Sequence, residues 1–517
     1  MKTTYLLFII ISTTIANLLL LINYNGIYWD DFVIYNHNPE TILALIDQQQ
    51  AGLRGIFALL MLHSGNQVFS FRIFLFFSEL LIVILYFLSI SRLKGFNEKE
   101  VFLTSLLIIS LPFTSARVAI TVIPFYLPLL LFWIGIYIFI RFYMDHTERK
   151  AIKYALYITF TASFSTNSLL VFYYGVLFLI FWSNSEKEAR LQSFLKLLYM
   201  HKGFLLLPLL YYAAKIIWFV PWGLYAGYNA LSVPEPGSII VNTLTFFRET
   251  IKQTILLGWE LYSKIFNKLS IDISIALILS GAVFLYNRAK FYSGQKAKER
   301  MIIGIFLILC GAFPYLVLGK VPAYLHWHSR FQVLLPVGVS LFIYYGLSYV
   351  SKKLKLNRGL SGLIFVMLIT LFISRKFYSD YRFLKENFYQ AAVVEQFKKS
   401  DKIKYNTSFI VENFASFGFA YDRVLDFYEW NGLLRKAFSD SKRLMVSSQY
   451  SHDWDDIVKL KNHRQYNFWQ WKPGKTVKIR VLPAYNPGWK EKVKILYFYV
   501  TDDERYKELA NDLVKVE

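Results

Sequence analysis

The sequence is poor in the residues that support covalent or nucleotide-dependent chemistry. It contains one cysteine, Cys310, within an apolar stretch, so it cannot form an internal disulfide framework or a zinc site made of thiolates. Cys310 is therefore predicted to be an inert core residue. The chain also lacks a P-loop, the dinucleotide-binding glycine pattern, a G-x-S-x-G elbow and an H-E-x-x-H zinc motif. An ATP-driven pump is not indicated.

Charged residues are also scarce. They make up 18% of the 517 residues, whereas 55% are hydrophobic and 19% are aromatic, and the mean hydropathy is +0.37. A typical soluble domain has about 25% charged residues. These proportions exclude a disordered or fibrous protein and disfavour an ordinary cytosolic enzyme.

The apolar residues fall into long blocks. Each block is comparable with the roughly 20 residues that cross a bilayer, which predicts a polytopic α-helical membrane protein with about eleven transmembrane helices. The blocks lie at 5–22, 68–90, 101–113, 122–142, 154–166, 168–183, 203–220, 270–287, 301–319, 331–349 and 359–375. The first block resembles a signal peptide without a cleavage site, so we expect an uncleaved signal-anchor.

The basic residues indicate the orientation. The formal net charge of +22 comes mainly from alternate loops, around 92–99, 149–153, 187–202, 288–300 and 352–358. Loops rich in Lys and Arg face the cytoplasm. This predicts a protein of a prokaryotic inner or plasma membrane, with a cytoplasmic N-terminus and an outer C-terminal tail. Because the basic excess serves orientation, no nucleic-acid partner is predicted.

Composition divides the chain into two parts. Residues 1–375 are predicted to form a multi-span transmembrane catalytic domain with long outer loops at 23–67 and 221–269, the second containing an amphipathic interfacial helix at 239–265. Residues 376–517 are predicted to form a soluble extracytoplasmic α+β domain. Its predicted strands are 407–414, 443–450, 476–482 and 493–501, and its predicted helices are 383–399, 421–438 and 502–514.

The most informative motif is an acidic pair in the first outer loop. Asp30 and Asp31 follow Tyr28 and Trp29 just beyond the first span. Carboxylates beside hydrocarbon are costly to desolvate. One interpretation is that the pair deprotonates an acceptor hydroxyl or binds a divalent cation such as Mg²⁺ or Mn²⁺. The other is that it lies in a solvated loop, where one aspartate caps a short helix. The two aromatic side chains suit sugar stacking or the membrane interface.

Several other charged residues are candidates. Arg330 closes the outer loop that carries His326 and His328; it suits a phosphate or an anchoring role at lipid headgroups. Arg117 and Arg54 are candidates for the same two roles, binding a phosphate or anchoring the chain at the membrane interface. The His pair lacks a nearby carboxylate in sequence, which disfavours a metal site.

Glu79 is a different kind of signal, because it lies within the second span. A carboxylate inside a membrane usually pairs with another group. A partner for Glu79 is therefore expected elsewhere in the chain.

The acidic pair in Tyr28–Phe32, followed by Gly52-Leu53-Arg54-Gly55, resembles the GT-C superfamily of integral-membrane glycosyltransferases, closest to the bacterial O-antigen glucosyltransferase branch. The resemblance concerns the first 375 residues. It implies transfer of a sugar from a polyprenyl-phosphate donor to a glycan, lipid or protein acceptor on the outer face. It further implies that Asp30 and Asp31 act as base or metal ligands, and that Arg330, with Arg117 and Arg54 behind it, binds the donor phosphate.

Two other functions remain open. A lipid-linked glycan polymerase or ligase also uses outer arginines, but typically has a large late loop, whereas 320–330 is short. A lipid or glycan flippase would favour charges deep in several spans and an internal repeat. The glycosyltransferase hypothesis predicts that Asp30, Asp31 and Arg330 line one outward-facing cavity.

Overall fold

The computed structural model describes residues 2–34, 39–50, 55, 67–144, 149–186, 188–227, 237–249, 296–321, 323, 327–439, 442–447, 476–485 and 487–517. Several sequence predictions fall wholly or partly outside this set. They include the span at 270–287, the interfacial helix beyond residue 249, the strand at 443–450 beyond residue 447, the motif residues Gly52 to Arg54, and His326.

Helices dominate the described chain. In the first half they are α1 (Lys2–Ala16), α2 (Leu18–Ile22), α3 (Asp31–Ile34), α4 (Pro39–Gln49), α5 (Gln67–Ile90), α6 (Glu98–Ser110), α7 (Ile123–Ile138), α8 (Lys150–Ser163), α9 (Ser168–Asn184), α10 (Arg190–Met200) and α11 (Lys202–Trp218). Residues 237–249 are also helical. Later helices are α12 (Ala297–Leu316), α13 (Leu335–Lys353), α14 (Arg358–Lys399), α15 (Asp401–Lys404), α16 (Phe427–Phe438), α17 (Trp489–Thr501) and α18 (Asp503–Asn511).

Several of these helices are long and apolar enough to cross a membrane. Among the described residues there are four: α5, Ile120–Tyr143 containing α7, α12 and α14. A fifth arises if α10 and α11, bent by 56° at their junction, form one broken span. The apolar helices α1 and α9 are shorter. The chain is thus mainly helical with several candidate spans, and the larger number of spans stays a prediction.

Small residues let two late helices approach closely. A Cβ atom on Gly304 of α12 would lie 2.7 Å from the backbone nitrogen of Phe342 in α13. A Cβ on Gly338 of α13 would lie 2.7 Å from the backbone nitrogen of Ile308. Only glycine fits where two helix backbones meet at this distance.

Helix α14 is 42 residues long. Its first half is apolar, whereas its second half buries polar side chains, including Asp380, Glu386 and Gln390. The predicted helix at 383–399 is therefore the end of a continuous helix that also contains the predicted span at 359–375. The predicted domain boundary at 375/376 falls inside it.

The tail contains a four-stranded sheet in the order β2 (Leu444–Ser447), β1 (Ser408–Asn413), β3 (Val477–Pro483) and β4 (Val514–Val516). Strand β1 is parallel to β2 and β3, with Ile410 opposite Val446 and Lys478, whereas β4 is antiparallel to β3. The predicted strands at 407–414 and 476–482 are therefore confirmed within a residue or two at their ends, and that at 443–450 is confirmed over its described residues.

The predicted strand at 493–501 is wrong, because these residues lie in helix α17. Its buried residues Ile495 and Tyr499 are spaced by four, which is a helical period rather than a strand period. The predicted helix at 421–438 begins only at Phe427, where Asp426 and Glu429 form a capping box.

Candidate functional site

Three loop segments are joined by hydrogen bonds to short polar side chains. The Ser329 hydroxyl accepts from the Ala116 amide at 2.7 Å and lies 3.0 Å from the Ser115 hydroxyl. The Thr121 amide and hydroxyl both donate to Oδ1 of Asp31 at 3.0 Å. The first outer loop, the turns at 115–122 and the turn at 327–332 therefore form one layer.

A buried arginine fixes the start of the first outer loop. Arg72, in the first turns of α5, donates to the carbonyl groups of Asn23 at 3.1 Å and Gly26 at 2.9 Å. The Tyr28 hydroxyl donates to the carbonyl of Phe383 at 2.6 Å and is fully buried. Tyr28 is thus a packing residue that ties the loop to α14, rather than an exposed stacking surface.

The two adjacent aspartates have different environments. Asp31 is fully buried, and its Oδ2 accepts from the Tyr28 amide at 3.1 Å in addition to the two Thr121 bonds on Oδ1. Burial raises the pKa of Asp31 to about 6, while the hydrogen bonds from backbone amides oppose this rise. Both oxygens are engaged in holding the loop, which favours a positioning role; its catalytic role stays a prediction.

Asp30 is half-buried and directed toward the tail. Its Oδ1 lies 3.4 Å from the Tyr428 hydroxyl. Burial raises the pKa of this carboxyl group, and the positive charge of Arg330 opposes the increase. The placement of Asp30 and Arg330 in one functional site stays a prediction.

Two tryptophans and two arginines form a stack beside Asp30. The Trp29 and Trp327 rings are stacked with centroids 5.5 Å apart. The Arg330 guanidinium lies 4.0 Å from the Trp327 centroid, and that of Arg423 lies 5.2 Å from the Trp29 centroid. Such cation–π contacts orient guanidinium groups. Trp29 itself has φ = +48°, an uncommon conformation for a large side chain that the surrounding contacts must hold.

The tail supplies those contacts, through residues that the sequence analysis missed. Glu429 Oε1 accepts from the Trp29 amide at 3.0 Å. Arg423 binds both oxygens of Glu429 at 2.7 Å and also both oxygens of Glu386 on α14. All three charged groups are buried. In the sequence, the capping pattern Asp426-x-x-Glu429 is the feature that could have drawn attention to these residues.

A cavity adjoins this layer of loops and has about 840 Å³ of empty space, including the open solvent at its mouth. Its charged lining residues are Glu79, Arg117, Lys376 and Asp380. Arg117 donates to Glu79 Oε2 at 3.1 Å and to Asp380 Oδ2 at 2.5 Å. Lys376 Nζ lies 3.6 Å from Glu79 Oε2. The predicted partner of Glu79 is thus found, and it is a pair of cations.

The rest of the cavity wall is largely apolar. It includes Ile82, Val83, Leu129, Trp133 and Phe172. A charged end combined with an apolar wall suits an amphiphilic ligand, with its polar head at the charges and its chain along the hydrocarbon side.

The predicted site residues therefore divide into two places. Arg117 lines the cavity, whereas Asp30, Asp31 and Arg330 belong to the adjoining loop layer and do not line it. This cavity is therefore not the one expected from the sequence, and a cavity lined by Asp30, Asp31 and Arg330 stays a prediction. His328 is exposed, with its ring 5.7 Å from that of Phe331.

The described residues do not fit a divalent cation at the acidic pair. Both Asp31 oxygens already accept hydrogen bonds from protein groups. Within the described ranges, no three His, Cys, Asp or Glu side chains are grouped so that they could hold a metal ion.

The chain matches no family model, and no curated protein or solved structure matches it.

Proposed function

We propose that this protein transfers a sugar from a polyprenyl-phosphate-linked donor to a glycan, lipid or protein acceptor on the outer face of a prokaryotic inner or plasma membrane. The observation that carries the proposal is a cavity with a charged end and an apolar wall beside the loop layer that contains Asp30 and Arg330. The hydroxyl of Ser329, next to Arg330 in the chain, lies 3.0 Å from the hydroxyl of Ser115, which lines the cavity. The cytoplasmic N-terminus and outer tail of the proposal rest on the distribution of basic loops.

The proposed reaction needs two functions, and the site offers a group for each. The acceptor hydroxyl attacks the anomeric carbon, the bond from that carbon to the phosphate oxygen breaks, and polyprenyl phosphate leaves. Asp30 takes the hydroxyl proton, since a raised pKa makes a carboxylate a better base. Arg330 stabilises the leaving phosphate, because a guanidinium matches phosphate oxygens in geometry and charge.

Arg117 is a weaker phosphate ligand in this proposal. Its guanidinium already binds two carboxylates, those of Glu79 and Asp380. A phosphate would have to compete with both. Arg330 instead lies on the Trp327 ring and donates to the Trp327 carbonyl at 3.0 Å.

The decisive experiment separates the two aspartates. Membranes containing each variant of the full chain are supplied with radiolabelled polyprenyl-phosphate hexose, and sugar transfer is measured. Asp30→Asn should lower the rate by about 10²-fold or more, the usual contribution of a general base, with an unchanged melting temperature. Asp47→Asn, at an exposed position of the same loop, is the matched control. Full activity of Asp30→Asn would refute the proposed base.

Asp31→Asn should behave differently. An asparagine must direct its NH₂ group at either the Tyr28 amide or the Thr121 amide, which both donate. We expect a loss of about 1–3 kcal/mol of stability from the unpaired donors, seen as a lower melting temperature.

The second candidate function is a lipid or glycan flippase. Glu79 and Lys376 are charged groups on helices α5 and α14, and charges within spans are common in transporters. Release of polyprenyl phosphate distinguishes the two functions, because only transfer breaks the sugar–phosphate bond.

A further inference from the structure

The carboxylate of Asp380 is half-satisfied. Its Oδ2 accepts from Arg117, whereas its Oδ1 is buried without a hydrogen-bond partner. The residue is only 2% exposed and lines the cavity. More than about 90% of buried polar groups are paired in folded proteins, so this oxygen is an unusual acceptor without a partner, on a residue that lines the cavity.

The charges around Asp380 determine what it can accept. The other charged groups that line the cavity are Glu79, Arg117 and Lys376, so two cations face two carboxylates. Arg117 uses its guanidinium on Glu79, Asp380 and the side-chain oxygen of Asn17. The remaining lone pairs of Oδ1 therefore need a hydrogen-bond donor from the ligand, and a neutral hydroxyl supplies one without adding charge.

Lys376 adds a second requirement. Its ammonium group donates to the Ile109 carbonyl at 3.1 Å and lies 3.6 Å from Glu79. An ammonium has three donors. It can therefore hold an anionic group of a ligand while it keeps its contact with Ile109.

We propose that the cavity binds the head of an amphiphile that carries both hydroxyl groups and an anionic phosphate, with Asp380 Oδ1 accepting a ligand hydroxyl and Lys376 holding the phosphate. The apolar chain lies along Ile82, Leu129 and Phe172. This assignment rests on the proposed sugar-transfer function for the identity of the head, a lipid-phosphate-linked sugar. The cavity holds the donor before transfer, and its phosphate then passes from Lys376 to Arg330 in the adjoining loop layer. Asp380 is a binding residue that selects glycosylated lipid over bare lipid phosphate.

The test measures binding rather than turnover. The purified full chain in detergent is titrated calorimetrically with citronellyl phosphate and with citronellyl-phosphoryl glucose, galactose, mannose and N-acetylglucosamine. At least one sugar-bearing probe should bind about tenfold more tightly than citronellyl phosphate, the gain expected from a hydrogen bond to a charged group. Monodeoxy analogues of that probe should lose the gain at one hydroxyl position.

Variants assign the gain to Asp380. Asp380→Asn should bind the sugar-bearing probe and citronellyl phosphate with similar affinity. Asp380→Glu keeps the charge near Arg117 but displaces the unpartnered oxygen, so it should lose most of the preference even if Asp380→Asn does not fold. Lys376→Gln should weaken both probes equally. Asp401→Asn, at an exposed position, is the matched control.

Each result bears on a different statement. Equal affinity of wild type for all probes, or an unchanged preference in the folded Asp380 variants, overturns the assignment and leaves Oδ1 bound to water. Asp380-dependent binding without sugar transfer by the wild type supports the cavity site but refutes the transferase. Transfer that persists with Asp380-independent binding supports the transferase alone.

Discussion

Two buried charge clusters lie near opposite ends of helix α6. At its first turn, Glu100 accepts from Arg300 at 2.6 Å and from the Tyr345 hydroxyl at 3.0 Å, with the guanidinium 4.4 Å from the Phe96 ring centroid. Beyond its last turn, Arg117 joins Glu79, Lys376 and Asp380 around a cavity. In the first cluster, Arg300 and Tyr345 both bind the Glu100 carboxylate. In the second cluster, Oδ1 of Asp380 has no hydrogen-bond partner.

The difference teaches which buried charges to examine for function. A buried ion pair alone contributes little net stability and often only fixes geometry. An unfilled hydrogen-bonding position that faces a cavity is a more specific signal, because nothing in the fold explains it. The Glu100 cluster should therefore respond to mutation in stability, and the Asp380 cluster in ligand binding.

Arg300→Met breaks the Glu100 cluster and has the largest expected effect on stability. It leaves the Glu100 carboxylate buried without its cation, which costs about 3–5 kcal/mol. Thermal unfolding of the purified protein should show a much lower midpoint, while transfer per folded molecule stays near wild type. Arg190→Met is the control, since its pair with Glu299 is partly exposed and worth about 0–1 kcal/mol. Equal destabilisation by the two changes would contradict the comparison.

Lys376→Met perturbs the Asp380 cluster and should give the reverse pattern. Glu79 keeps its bond to Arg117, so the stability should change by less than about 2 kcal/mol. The affinity for citronellyl phosphate should fall about tenfold, as for the loss of one charge-assisted contact. Calorimetric titration and a melting curve on the same sample check both statements. A large stability loss with unchanged affinity would make the two clusters alike.

Arg330→Met should shift the pH dependence of transfer. The pKa of Asp30 is raised by burial, opposed by Arg330 and raised further by Glu429 and Asp426. Asp30 must be ionised to act as a base, so activity falls as the pH drops through its pKa. Removing the positive charge raises that pKa, and the acidic limb of the kcat/KM profile should move to higher pH. Lys320→Met, in the preceding part of the same loop, should leave the limb in place.

Tyr428→Phe is the mildest change. The hydroxyl lies 3.4 Å from Asp30 and donates to Asp426 at 2.7 Å. Because the contact with the Asp30 carboxylate is long, its loss should lower transfer by only about two- to fivefold, within the value of a weak hydrogen bond. Tyr405→Phe, at an exposed tyrosine, is the control. A loss as large as that of Asp30→Asn would give Tyr428 a chemical role.

The sequence predicted what depends on local patterns. Apolar blocks identified the helices, and the strands at 407–414 and 476–482 followed from β-branched residues. The segment at 493–501 was misassigned because its Val, Ile and Tyr content favours a strand, while the buried spacing of Ile495 and Tyr499 belongs to a helix. The prediction for this segment followed its composition, whereas the periodicity of its buried residues gives the correct element.

The site was predictable only in part, because its contacts join distant residues. Glu79 indicated a missing partner, but Arg117 is 38 residues away and Asp380 follows 263 residues after Arg117. Glu429 reaches the Trp29 amide over 400 residues. No local pattern encodes such pairings, and the apparent equivalence of Asp30 and Asp31 disappears only when Thr121 is placed beside one of them.

The long separation between Arg117 and Asp380 also means that the two residues are synthesised at different times. A ribosome adding roughly 5–20 residues per second completes the intervening 263 residues only after about 13–50 seconds. During that interval the guanidinium has Glu79 and Asn17 as its available companions. Helix α14 is synthesised after both of them, so Lys376 and Asp380 are the last charged lining residues of the cavity to be made.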